Sequence, residues 1–154
     1  MEKTKLIPVL ALVAIVVVAG CTGKGNEQGR LYGPLHWHVQ LELETCGVAQ
    51  GLPSFDPNRQ EFYGTPHLHH HNDNKIHLEV PPGESILNSD ATLGGFFRAI
   101  NMPFSSETFM NYKNGDKCSN GAAGMVHFFV NGVENSEFGA HPIIDGERAK
   151  IVFG

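Results

Sequence analysis

Basic residues are scarce in this chain. Eleven lysines and arginines stand against sixteen aspartates and glutamates, and without a basic stripe there is no electrostatic footprint for nucleic acid. Catalytic signatures are missing too: no GxSxG elbow, no HExxH helix and no phosphate-binding loop occurs anywhere, which removes the usual sequence grounds for serine hydrolase, zincin or nucleotide chemistry. Met102, Met110 and Met125 are scattered, so the clustered thioethers that suit copper(I) are absent. There is no internal repeat, and no uninterrupted apolar run reaches the roughly 20 residues that a spanning helix needs. What remains is an acidic chain, which tends to attract cations.

The longest apolar stretch lies at the start. Lys3 and Lys5 precede Leu6 to Val18, broken at Pro8, and the small residues Ala19 and Gly20 lead into Cys21. That order predicts a secretory signal over residues 1–20. Its end resembles the lipobox of prokaryotic lipoproteins, which implies lipidation of Cys21 and a protein anchored in the cell envelope on the extracytoplasmic face of the membrane. An uncleaved N-terminal anchor would give almost the same location. Cleavage would remove Glu2, Lys3 and Lys5 and leave 9 basic and 15 acidic residues, a net charge of −6. Residues 21–33 are glycine-rich and polar, and read as a flexible tether. Residues 34–154 are long enough for one domain with its own core.

With Cys21 assigned to lipid, Cys46 and Cys118 are left. In an exporting compartment the simplest expectation is a disulfide between them, with free thiols, metal thiolates or a nucleophilic cysteine beside histidine as the alternatives.

The domain opens with clean alternation. Leu35, Trp37, Val39, Leu41 and Leu43 share one face and His36, His38, Gln40, Glu42 and Glu44 the other, which predicts a half-buried strand. Thr45 to Pro66 is broken by Gly47, Gly51, Pro53, Pro57, Gly64 and Pro66 and reads as loop, with one short strand near Glu61 to Tyr63. Then comes TPHLHHHNDNKIHLEVPP, with His67, His69, His70, His71 and His77 inside eleven residues. Its strand starts near Lys75 and ends at Pro81, while the turn formers Asn72, Asp73 and Asn74 place His67 to His71 on the approach to a tight turn. Leu93, Phe96, Phe97 and Ile100 have helical spacing behind a Thr92 N-cap, and Gly94 and Gly95 cost that helix about 1 kcal/mol each. A short helical turn is expected from Ser105 or Ser106. Met125 to Val130 is a strand ending in the hairpin signal Asn131–Gly132, and Ala149 to Phe153 is the last strand.

Two strands, a helix and further strands, closed by IIDGERAKIVFG, look like a β-grasp domain, in which a mixed sheet of four or five strands wraps one main helix. A closer resemblance covers residues 34–154. It is to exported archaeal and bacterial proteins of unestablished activity that share HWH, HxH, IHxE, TLGxFF and VNG in that order. Here these are His36 to His38, His67 to His69, Ile76 to Glu79, Thr92 to Phe97, and Val130 to Gly132. The chain departs from that pattern where Gln40 replaces a histidine and His70 an aspartate, which implies a site in the same place with an altered ligand set. The alternative fold is an all-β jelly roll of cupin type, because HWHVQLE matches the HxHx3E core of a cupin metal motif, although the flanking glycines are misplaced.

Residues i and i+2 of a strand point the same way, so HxH delivers two imidazoles at once. Imidazole is largely neutral at pH 7 and available to a metal. The expected ligands are His36, His38, His67, His69 and His77, with His70, His71, Asp73 and Glu79 as substitutes or supporting groups; His127 and His141 read as structural. Imidazole-rich sites suit copper(II), zinc, nickel or iron, and the Irving–Williams order puts copper ahead of zinc. The functional expectation is metal capture, delivery or sensing with an envelope protein as partner. Taken one at a time, each histidine is more often structural than ligating, so a β-grasp interaction module without metal is the competing reading, and a metal-dependent enzyme is a third.

Overall fold

The structure is a computed structural model and describes residues 29–154. The expected signal segment, Cys21 and the tether as far as residue 28 lie outside the described residues. The last part of that tether is a strand instead: β1 (Arg30–Tyr32) pairs antiparallel with β7 (Ser85–Leu87), and Arg30 donates from its guanidinium to the Ser85 hydroxyl at 2.8 Å.

The long alternating stretch forms β2 (Leu35–Thr45), with Val39, Leu41 and Leu43 buried. A tight turn at Cys46 and Gly47 folds β3 (Val48–Gln50) back on its end. β4 (Tyr63–Gly64), β5 (Leu68–His70) and β6 (Lys75–Val80) follow. The structure corrects the expectation that His67 to His71 only approach a turn, because Leu68, His69 and His70 are a strand buried on both faces. Two-sided burial erases the alternation by which a strand is read from sequence. The turn comes after it, where Asn72 and Asn74 take positive φ.

The helix α1 (Leu93–Ala99) is capped as expected, with the Thr92 hydroxyl accepting from the Gly95 N–H at 3.1 Å. Seven residues are too few for a helix to persist alone. Phe96 and Phe97, both essentially buried, each contribute about 1.5–3 kcal/mol of burial, enough to offset the glycines. Gly95 is required besides, since a Cβ there would collide with the Asp90 carbonyl.

The helical turn expected at Ser105 is a hairpin of β8 (Thr108–Phe109) and β9 (Tyr112–Lys113). The Ser105 hydroxyl accepts from the N–H groups of Glu107 and Thr108 at 3.1 Å each, and this local competition draws the backbone out of a helix. The chain ends with β10 (Val126–Val130), the Asn131–Gly132 turn, β11 (Val133–Glu134), a 3₁₀ turn at Phe138–Ala140 and β12 (Arg148–Phe153).

The main sheet has eight strands rather than four or five, ordered β11-β10-β12-β2-β6-β5-β4, with β3 beside β2. It is mixed: β12 runs parallel to β2, and the other pairs are antiparallel. One mixed sheet with one short helix is not the double antiparallel sheet of a jelly roll, so the cupin-type alternative is set aside. Cys46 and Cys118 form a disulfide, with Cα atoms 5.5 Å apart across 72 residues of sequence. Among the described residues no helix is long and apolar enough to cross a membrane.

Candidate metal centre

Register builds the site. His38 on β2 faces His77 on β6, and His77 faces His69 on β5, so three imidazoles from three strands stand in one row across the sheet. One step along, His36 faces Glu79. His71 follows β5 by one residue and returns to the side of His69, because alternate residues share a face. Two groups of ligand atoms result, each with all its members within 4.8 Å of one another: His69, His71, His77 and Glu79 in one, and His36, His38 and His77 in the other.

The hydrogen bonds fix which nitrogen each ring offers. His69 Nδ1 lies 3.1 Å from the Thr65 carbonyl oxygen and His71 Nδ1 lies 2.9 Å from the Glu61 carbonyl oxygen. A carbonyl oxygen only accepts, so both Nδ1 atoms carry protons, and in the neutral rings both Nε2 atoms present lone pairs. These two Nε2 atoms are 3.1 Å apart. Two acceptors facing each other at that distance repel, unless a cation lies between them. Two nitrogens bound tetrahedrally at 2.0–2.1 Å from one ion would be about 3.3 Å apart, which is close to what is found.

His77 completes the set. Its Nε2 donates to Asp73 Oδ2 at 3.0 Å, and its Nδ1 is buried without a hydrogen-bond partner. Glu79 Oε1 lies 3.6 Å from that Nδ1 and 3.7 Å from His69 Nε2. Each of the three histidines therefore spends one ring nitrogen on a carbonyl or carboxylate and leaves the other free for the cluster, as imidazoles that bind metals commonly do. Asp73 titrates below the usual carboxylate range: burial alone would raise it, and the hydrogen bond and charge of His77 outweigh that, helped by the N–H groups of Lys75 and His71.

The loop before β4 roofs the site. Phe62 lies against the His69 ring at 4.5 Å between centroids, and His69 is only 2% exposed. Gly64 brings β4 in close, since a Cβ there would strike the Leu68 carbonyl and sit 2.9 Å from His69 Cα. Burial lowers the pKa of His69, against the opposing bond to the Thr65 carbonyl and the charge of Glu79, so the ring is neutral and able to coordinate at pH 7.

Of the sequence-expected ligands, His69 and His77 lie in the four-membered group, and His36 and His38 join His77 in the other. His67 stands apart, bonded through Nε2 to Glu84 at 2.8 Å. His71 and Glu79, expected only as substitutes, are members of the first group, and Asp73 supports it. His70 points to the opposite face, fully buried against Phe55, Tyr63 and Phe96; its Nδ1 accepts from the Asn72 N–H and burial lowers its pKa. The cupin-like pairing of His36 and His38 with Glu42 does not form, since Glu42 is in neither group.

Among the described residues the remaining histidines are held by carboxylates. His127 Nδ1 is 3.0 Å from Glu134. His141 is clamped, with Nδ1 2.7 Å from Glu137 and Nε2 2.9 Å from Glu147. The main cluster offers three imidazoles and a carboxylate whose ligand atoms lie within 4.8 Å of one another, a set that could hold a metal ion. No family model, curated protein or solved structure matches the chain.

Proposed function

We propose that this is a lipid-anchored, extracytoplasmic transition-metal-binding protein, acting in copper or zinc capture, delivery or sensing through His69, His71, His77 and Glu79. The single observation that carries the reading is the approach of the Nε2 atoms of His69 and His71 to 3.1 Å while each ring turns its Nδ1 to a backbone carbonyl, with His77 Nδ1 buried and unpartnered in the same group. Three imidazoles and one carboxylate suit zinc and copper(II), and the Irving–Williams order favours copper. The lipid anchor and the exported location rest on the lysine, apolar and small-residue order before Cys21; a disulfide on a compact domain suits an oxidising compartment. The β-grasp reading of the domain rests on the parallel pairing of β2 with β12 and the antiparallel strands that flank them.

The test is metal analysis of the untagged full chain, purified in detergent and reconstituted with copper(II) or zinc. About one equivalent should be retained, and less than about 0.3 would reject the reading. His69→Ala combined with His71→Ala should abolish retention. A second reading, an interaction module of the envelope without metal, is favoured by the groove of about 790 Å³ on the outer sheet face, which is lined by Phe129, Val152, Glu44 and Arg148. Failure to retain any metal would leave that one standing.

A further inference from the structure

His77 belongs to both groups of ligand atoms. Its Nε2 is taken by Asp73 at 3.0 Å, so the buried, unpartnered Nδ1 is the one nitrogen it can offer to either. One lone pair serves one ion. From this we propose that the protein holds a single ion that moves between two seats: a holding seat of His69, His71, His77 and Glu79, and a transfer seat of His36, His38 and His77 from which the ion is exchanged with outside ligands. The inference rests on the metal-binding reading above and adds the route by which the ion arrives and leaves.

The two seats differ in the way such a division of labour needs. In the holding seat every imidazole is braced, by Thr65, Glu61 and Asp73, and two of the three rings are buried. Braced ligands lose little freedom on binding and hold an ion tightly. In the transfer seat the His36 side chain is 65% exposed, and the His38 ring makes no hydrogen bond among the described residues. Three imidazoles also leave a tetrahedral position open for an incoming ligand.

The seats adjoin. The His77 ring centroid is 4.5 Å from that of His38 on one side and 4.5 Å from that of His71 on the other. Glu79 spans them, with Oε1 3.1 Å from His36 Nε2 as well as facing His69 and His77. An ion could therefore cross by exchanging His69 and His71 for His38 and His36, with His77, common to both groups, turning with it. No bond but metal–ligand bonds is made or broken, and no electron is transferred.

The experiment compares the full chain in detergent with two double variants, using copper(II) as the probe and EDTA in excess to draw it off in a stopped-flow mixer. The unsubstituted chain should take up one equivalent. His36→Ala with His38→Ala should still hold one, yet release it more slowly by about tenfold or more, a rise of about 1.4 kcal/mol in the barrier to exit. His36→Gln with His38→Gln should behave the same, which controls for folding. Two equivalents in the unsubstituted chain, or unchanged release in both double variants, would overturn the two-seat inference and leave the holding site intact. Loss of all binding in these variants would overturn it as well, by making the exposed pair the primary site. No uptake by the unsubstituted chain would instead sink the metal reading itself.

Discussion

Replacing Asp73 by asparagine should cost metal affinity without touching a ligand. Asp73 Oδ1 accepts from the N–H groups of His71 and Lys75 at 3.4 and 3.3 Å, while Oδ2 accepts from His77 Nε2. An asparagine in the same place must keep its one oxygen on the two backbone donors, since the reverse orientation would set an amide N–H₂ against two N–H groups. The amide then donates to His77 Nε2, and the ring proton moves to Nδ1, the atom that has to bind the ion. Undoing that tautomer sacrifices a hydrogen bond at a partly buried site, about 1–3 kcal/mol, or about 10–100-fold in dissociation constant. Competition titration with zinc against a chromophoric chelator at pH 7 measures the change, and a thermal melt of the metal-free variant checks that the fold is retained. An affinity within about twofold of the original, well short of the effect expected when the hydrogen-bond partner of a metal ligand is lost, would refute the tautomer argument and with it the role of Nδ1.

Cysteine chemistry gives a second test. Full chain from an exporting host should show no titratable thiol without reductant, because Cys46 and Cys118 are paired and Cys21 is expected to carry lipid; one thiol would refute lipidation, two would refute the pairing, and three would refute both. Cys46→Ser with Cys118→Ser reopens the loop that the disulfide closes across 72 residues, so denaturant unfolding should lose about 2–5 kcal/mol. His141 supplies a pH dependence away from the metal ligands. Burial would lower its pKa, but the hydrogen bonds and charges of Glu147 and Glu137 outweigh it and raise the pKa above 6.5. A raised histidine pKa adds stability that is fully present below the unfolded value and is lost as pH rises through the folded one. The stability that His141 contributes should therefore fall across that interval, so the gap in melting temperature between the metal-free protein and its His141→Gln variant should shrink as pH rises; a gap that does not change with pH would refute the clamp.

What the sequence disclosed follows from which signals are local. The faces of β2, the span of β6, the Thr92 cap and the Asn131–Gly132 turn depend on residues within a few positions of each other, and the structure has each where the pattern puts it. β5 was hidden because Leu68, His69 and His70 are all buried, one side by the helix and the other by the Phe62 loop, so no alternation marks it. The hairpin at Thr108 was hidden by a serine that looks like a helix cap and in fact stabilises a turn. For the site, the residue types were legible and the membership was not. His67 and His69 are equivalent as an HxH pair, yet only register and the roof over β5 decide that His69 joins His77 while His67 turns to Glu84. His70 falls on the core face, and His71 beyond it falls on the site face.

A proton could in principle do what a metal does between His69 and His71, by turning one ring into an imidazolium that donates to the other. That would remove the repulsion of two lone pairs 3.1 Å apart without any ion. Two features weigh against it at neutral pH. Burial of His69 disfavours a charged ring there, and ordinary imidazole is already mostly neutral at pH 7. A proton shared by that pair would also leave His77 Nδ1 unpartnered in a buried position, at a cost of about 1–3 kcal/mol for an unmet acceptor. A divalent cation held by His69, His71 and His77 would satisfy all three nitrogens at once, with the Glu79 carboxylate in reach as a fourth ligand, so four residues that conflict as a hydrogen-bonded cluster would be consistent as metal ligands.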